Sequence, residues 1–166
     1  MLQFDSRGYL LHDRHIPLTL EEFHQAFVLD LPSENRKRLF AGFLGFFRDM
    51  LNDLALESVL IWVNGSFVTR KENPNDIDLV YFLHAGIVER FETILCDRFS
   101  YPESVNLYEM DAYLIRLYQE DHLFHIHTVS DRAHWIDFFT KTRKNRRGTA
   151  HKKGFLEINI HRHEIQ

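Results

Sequence analysis

Apolar positions fall into two kinds of pattern along the chain. Phe40, Phe43, Leu44, Phe47, Met50, Leu51 and Leu54 recur three or four residues apart, which is one face of a helix. Pro32-Ser33-Glu34 supplies its start signal, so the spacing predicts a long helix ending near Leu54. Gly42 and Gly45 lower its propensity but permit close packing. Thr19 with Glu22 forms a capping box for a shorter helix over residues 20–28. Residues 1–18 have no strong period and predict a short strand or extended arm followed by a turn. Strand-like runs follow at 58–63 ("SVLIWV"), 76–83 ("DIDLVYFL"), 108–118 and 154–160. Helical spacing through Ile87, Phe91, Ile94 and Leu95 predicts a helix over 85–99. Residues 130–143 predict another, capped by Ser130 or Asp131. This order describes one α/β domain with a mixed β-sheet flanked by helices. It spans residues 1–166, with a helical extension over 1–55 and the core over 56–166.

One strand breaks the apolar rule. Asp76 and Asp78 sit one residue apart in "DIDLVYFL", and burying carboxylates is costly unless something positive meets them. Side chains alternate along a strand, so both aspartates project from the same face, roughly 6–7 Å apart. A divalent cation would relieve their repulsion, and oxygen ligands favour Mg²⁺ or Mn²⁺ over zinc. Mg²⁺ commonly completes its shell with substrate phosphates, so the pair points to phosphate chemistry. Gly65-Ser66 ends the preceding apolar run. A glycine there lets backbone N–H groups approach an anion, and the serine adds a hydroxyl. Arg70 and Lys71 follow in the loop and suit further phosphate charge. Asp111, inside the next strand run, is the candidate third carboxylate of a two-metal site.

The net charge is -4, unevenly spread. Lys141, Arg143, Lys144, Arg146, Arg147, Lys152 and Lys153 lie within 13 residues with no acid among them, leaving 13 of the 20 basic residues and all 24 acidic ones for the rest of the chain. Such a run is either a solvated loop or a polyanion contact. No aromatic residue is interleaved between Lys141 and Lys153. That favours triphosphate or nonspecific polyanion contact over single-strand binding. Cys96 is the only cysteine, which excludes an intrachain disulfide and suits a reducing compartment. No signal peptide or membrane-length apolar run is visible, so a cytoplasmic protein with no membrane partner is expected. His122, His125 and His127 have a spacing open to zinc. They lack the cysteines or the H-E-x-x-H pattern that would make that signal specific. Trp62 and Trp135 read as core.

The stretch "NGSFVTRKENPNDIDLV" resembles the signature of the nucleotidyltransferase superfamily, the group of DNA polymerase beta and its minimal bacterial relatives. That signature is an apolar residue with Gly-Gly or Gly-Ser, a gap, then two acids flanked by apolar residues. "GSFVT" through "DIDL", with the later "KGFLEI", looks like an uncharacterised bacterial branch of it. Phe67 and Asn75 stand where minimal members often carry a basic residue and a serine. The resemblance implies a nucleotidyltransferase fold, Gly65 and Ser66 on the triphosphate, and Asp76 and Asp78 on Mg²⁺ or Mn²⁺. Asp111 would be a further metal ligand that helps to activate the acceptor hydroxyl. It implies transfer of a nucleotide from an NTP, ATP first, to a protein or RNA hydroxyl, in a toxin–antitoxin or defence setting. Two readings stand beside it: a non-catalytic module of the same fold that binds a nucleotide, partner protein or RNA, and an RNA-binding protein acting through residues 141–153.

Overall fold

Local capping signals start the first two helices of the computed structural model, which describes residues 2–11, 15–144 and 146–165. The capping box predicted at Thr19 and Glu22 is formed, with Glu22 N donating to Thr19 Oγ1 and Thr19 N to Glu22 Oε2. It opens α1 (Leu20–His24), which widens into a π-helical turn at Gln25–Leu29. Ser33 caps α2 (Glu34–Asp53) through Arg36 N. The predicted apolar face of α2 is buried, with one shift: Phe46 is fully buried and Leu44 only partly so. Gly42 is where close packing is needed, because a Cβ there would lie 2.7 Å from Tyr108 O.

Five strands form one mixed sheet in the order β1-β5-β2-β3-β4. They are β1 (His15–Leu18), β2 (Ser58–Asn64), β3 (Ile77–His84), β4 (Met110–Leu117) and β5 (Phe155–His161). The outer pairs β1·β5 and β3·β4 are parallel and the inner pairs antiparallel. The α/β class with a mixed sheet therefore stands. Asp76 lies just before β3 rather than within it.

Two predicted helices change shape, and one short helix is added. Residues 85–99 divide into α3 (Ala85–Arg90), a short α4 (Glu92–Ile94) and a π-helical turn at Leu95–Phe99. The break falls at Phe91, whose ψ of 22° leaves the helical range. The wide turn lets both Leu95 and Phe99 reach the core while Arg98 pairs with Asp49 and Asp53 of α2. A short helix outside the predicted elements, α5 (Glu103–Tyr108), precedes β4 and takes Tyr108 from the run expected as strand. The last helix, α6 (His125–Phe139), starts before Ser130 and ends before residue 143. Neither Ser130 nor Asp131 caps it. Its first turn is held from outside, because Thr128 Oγ1 donates to Arg116 O and accepts from Tyr118 N at the end of β4.

Each sheet face has its own core. Ile61, Val63, Leu79, Tyr81, Ala112 and Ile158 pack under α1, α2 and the 85–99 segment. Trp62, Val80, Phe82, Ile115 and Phe155 pack with Phe139 of α6 on the other face. Trp62 is core, as expected, while Trp135 is only partly buried. Among the described residues no helix is long and apolar enough to cross a membrane.

Candidate functional site

Strand parity places the carboxylates on the α6 face, just beyond the end of α6. Asp78 pairs in register with Asn64 of β2 on one side and Asp111 of β4 on the other. Directly aligned residues on neighbouring strands point the same way. Trp62, Val80 and Tyr113 sit two residues away on their strands, on the same face, and pack in the smaller core. The sheet is thus apolar under α6 and turns polar where α6 stops.

Gly65 begins the turn after β2 with φ +78°, a conformation that favours glycine. The Asp78 carboxylate rests against it, and a Cβ at residue 65 would lie 1.6 Å from Asp78 Oδ2. Gly65→Ala is therefore expected to cost about 2–4 kcal/mol, from left-handed strain and displacement of Asp78. Urea melts check this, and a melt matching wild type would show that the carboxylate swings clear.

The loop from Ser66 to Lys71 is tied down on its inner side. Thr69 N and Oγ1 both donate to Ser66 O, at 3.3 and 2.7 Å. Phe67 and Val68 are buried, Phe67 against Phe23. Arg36 of α2, fully buried, donates to the carbonyls of Phe27, Phe67, Thr69 and Lys71 at 2.6–2.9 Å. Those oxygens are drawn inward, away from any anion outside. Ser33, the cap of α2, and Asn35 within it hold the carbonyls of Glu72 and Pro74. The helical extension is thus integral to the site, since it fixes the whole connection between Gly65 and Asp76.

A cleft of about 1000 Å³ lies over this loop, at the upper end of the range for small-ligand sites. Gly65, Ser66, Arg70, Lys71, Asp76 and Asp78 all line it, as do Arg143, Lys144 and Lys153. Asp111 stands beside Asp78 but outside the lining. Arg146, Arg147 and Lys152 also lie outside it. The antiparallel bridge between Lys141 and Lys152 closes the basic segment into a hairpin-like loop.

The charges are strongly coupled. Burial pushes the Asp78 carboxyl up to about 6, helped by Asp76 and Asp111 and opposed by Lys153 and Arg143. Asp111 is also raised, by burial first and then Asp76. Its Oδ1 is buried without a hydrogen-bond partner. Lys153 is brought down to about 8 by burial, against the attraction of Asp78. Its Nζ donates to Asn64 Oδ1 at 2.6 Å, while Asn64 Nδ2 donates to Phe139 O.

A family model described as a family of unknown function (DUF6932) matches residues 2–159. The chain belongs to this DUF6932 family. No curated protein and no solved structure matches it. The DUF6932 match takes in every candidate residue from Gly65 to Lys153 and also the N-terminal segment that rims the cleft. That segment is the first feature sequence reasoning missed. Asp5, Arg7 and Tyr9 line the cleft, and Arg70 N donates to Gly8 O at 3.0 Å. Asn64 was missed too, although its position directly before Gly65 in a strand gives its face by parity. Burial of Lys153 was signalled only by its closeness to the apolar run of β5.

An all-oxygen donor set fits a hard divalent cation. Mutual repulsion at Asp78 and the unpartnered Oδ1 of Asp111 both call for positive charge. The side chains do not converge on one point, and among the described residues no group of three His, Cys, Asp or Glu is gathered to hold a metal. Two carboxylates with phosphate and water oxygens meet what Mg²⁺ requires. The histidines form no such group either. His125 Nδ1 faces Tyr118 O, and the rings of His122 and His127 lie against Phe124.

Proposed function

We propose that this chain is a nucleotidyltransferase that moves an NMP from an NTP, ATP first, to an acceptor hydroxyl. The observation that carries the reading is Asp78, in register with Asp111 and set against a glycine turn, lining one cleft with Arg70, Lys71, Arg143, Lys144 and Lys153. Asp76 and Asp78, with Asp111 alongside, would hold Mg²⁺ or Mn²⁺, which when bound would supply charge neutralisation at the reacting phosphate. Gly65 and Ser66 seat the triphosphate, with the neighbouring carbonyls withdrawn onto Arg36. The cations across the cleft balance its charge. The acceptor oxygen forms a bond to the α-phosphorus as the bond to the bridging oxygen breaks, and pyrophosphate leaves. Asp111 takes the proton of the acceptor hydroxyl. Catalysis is then mostly positioning and charge stabilisation.

Calorimetric titration with each NTP, with and without Mg²⁺, tests this reading. Metal-dependent binding is expected, and no binding of any NTP would overturn it. The unconverged carboxylates favour one second reading, a non-catalytic module of the same build. That module would bind nucleotide or partner equally well with Asp76 and Asp78 both changed to Asn.

A further inference from the structure

Aromatic side chains far apart in sequence form a row beside the carboxylates. Tyr113 lies two residues beyond Asp111 on the same face of β4, the edge strand. Tyr101 stacks on it with centroids 5.8 Å apart and planes 16° apart. Trp135 of α6 meets Tyr113 at 4.9 Å, and Phe138 meets Trp135 at 5.7 Å. Phe138 reaches the lining of the cleft. Tyr101 is 56% exposed and Phe138 55%, so each ring keeps an open side to solvent beyond its contact in the row. Immediately after α6 come Arg143 and Lys144, in the cleft wall, and exposed Arg146.

We propose that the acceptor is the hydroxyl end of a single-stranded nucleic acid, its terminal bases stacked on the Tyr101–Tyr113–Trp135–Phe138 row and its phosphates on the basic loop. This rests on the nucleotidyltransferase reading of the cleft. Flat rings beside a cationic track are how single strands are held without sequence readout. An apolar patch alone would suit a protein surface, but Arg143, Lys144 and Arg146, exposed in a segment with no acid between Lys141 and Lys153, suit a phosphate backbone. Tyr101, whose N donates to Ala112 O next to Asp111, presents the open ring on which the last base stacks. The strand's terminal oxygen then lies where it can attack the α-phosphorus, giving its proton to Asp111 as pyrophosphate leaves. In a duplex every base but the terminal pair is stacked on both faces, so successive bases cannot engage the row.

Fluorescence anisotropy on the full chain, without metal or NTP, tests the row by itself. The probes are labelled oligouridylate and oligothymidylate of about twelve nucleotides and a blunt hairpin duplex. Single strands are expected to bind at least tenfold tighter than the duplex, with affinity falling steeply as salt rises. The RNA and DNA arms show which strand is preferred. Tyr101→Ala with Phe138→Ala is expected to weaken single-strand binding about tenfold or more. Tyr101→Leu with Phe138→Leu keeps apolar bulk and should weaken it likewise, with thermal midpoints reporting the fold. Equal affinity for strand and duplex, or no loss in either double variant, would overturn the proposal. With α-labelled NTP and Mg²⁺, label is expected on the oligonucleotide. Label appearing only on protein would overturn the nucleic-acid acceptor and leave the enzyme reading intact. Failure of wild type to bind any NTP would instead overturn the enzyme reading, while the anisotropy result judges the aromatic row independently.

Discussion

Replacing Asp78 with Asn is expected to cut nucleotidyl transfer by roughly 10³-fold or more while making the metal-free protein more stable at pH 7.5. The two effects share one cause. Asp78 is held among Asp76, Asp111 and the floor of the cleft, and its carboxyl is pushed up to about 6 from 3.8, chiefly by burial. The folded chain therefore keeps a proton that the unfolded chain has lost between those two values. Stability falls as pH rises through that window, and the full penalty stands above about pH 6. Two pH units correspond to about 2–3 kcal/mol, a net figure that already includes the attraction of Lys153. An amide of the same shape carries no charge to desolvate, so a gain of about 1–2 kcal/mol is expected at pH 7.5. The gain should fade towards pH 4. Urea melts in chelator across that range check it. Mg²⁺ with NTP should then stabilise wild type, since it binds only the folded state, and leave Asp78→Asn unmoved. An Asn variant less stable than wild type at pH 7.5 would mean that the carboxylate holds the fold rather than waiting for a cation.

Lys153 has the opposite sign. Its folded value of about 8 lies below 10.5, so its contribution to stability rises with pH between those values. Between about 6 and 8 both groups are charged and mutually dependent. Lys153→Met is therefore expected to deepen the Asp78 penalty there, seen as a lower melting point at pH 7 than at pH 5 by more than in wild type.

What the sequence disclosed was whatever depends on near neighbours. Capping at Thr19 and Ser33, the α2 stripe and the strand containing Asp78 follow from spacing of a few residues. Gly65, Ser66, Asp76 and Asp78 are legible because one turn and one strand start carry them. Asp111 was reachable by strand parity, but its register beside Asp78 is set by packing across the sheet. The break at Phe91 and the early start of α6 were hidden because tertiary partners, the Asp49–Arg98 pair and the Thr128 bonds to β4, outweigh local propensity. The aromatic row was hidden for a related reason. Its members come from α5's approach, β4 and α6, so a search for rings interleaved among the basic residues passes over them.

Arg36 is the clearest case of a residue invisible to local reading, since it sits in the charged first turn of a helix and looks solvent-facing. Arg36→Met is expected to cost about 3–5 kcal/mol. The guanidinium is fully buried, lies 5.0 Å over the Phe67 ring and serves four carbonyls from two separate segments. Burial lowers it to about 10 from 12.5, so it remains charged at neutral pH. Methionine fills the space but leaves those acceptors without donors, each costing about 1–3 kcal/mol unless water reaches it. Arg36→Lys should not rescue, because one ammonium cannot span carbonyls that a planar fork reaches from two nitrogens. The loss falls on the loop between Gly65 and Asp76. Trypsin should therefore cut after Arg70 or Lys71 faster in the variant, under conditions where the rest of the chain stays folded. NTP affinity should drop with it, because the released carbonyls of Phe67, Thr69 and Lys71 can then turn towards the phosphates. A lower melting point with unchanged NTP affinity would separate the two roles, leaving Arg36 as a fold clamp and moving the triphosphate off this loop.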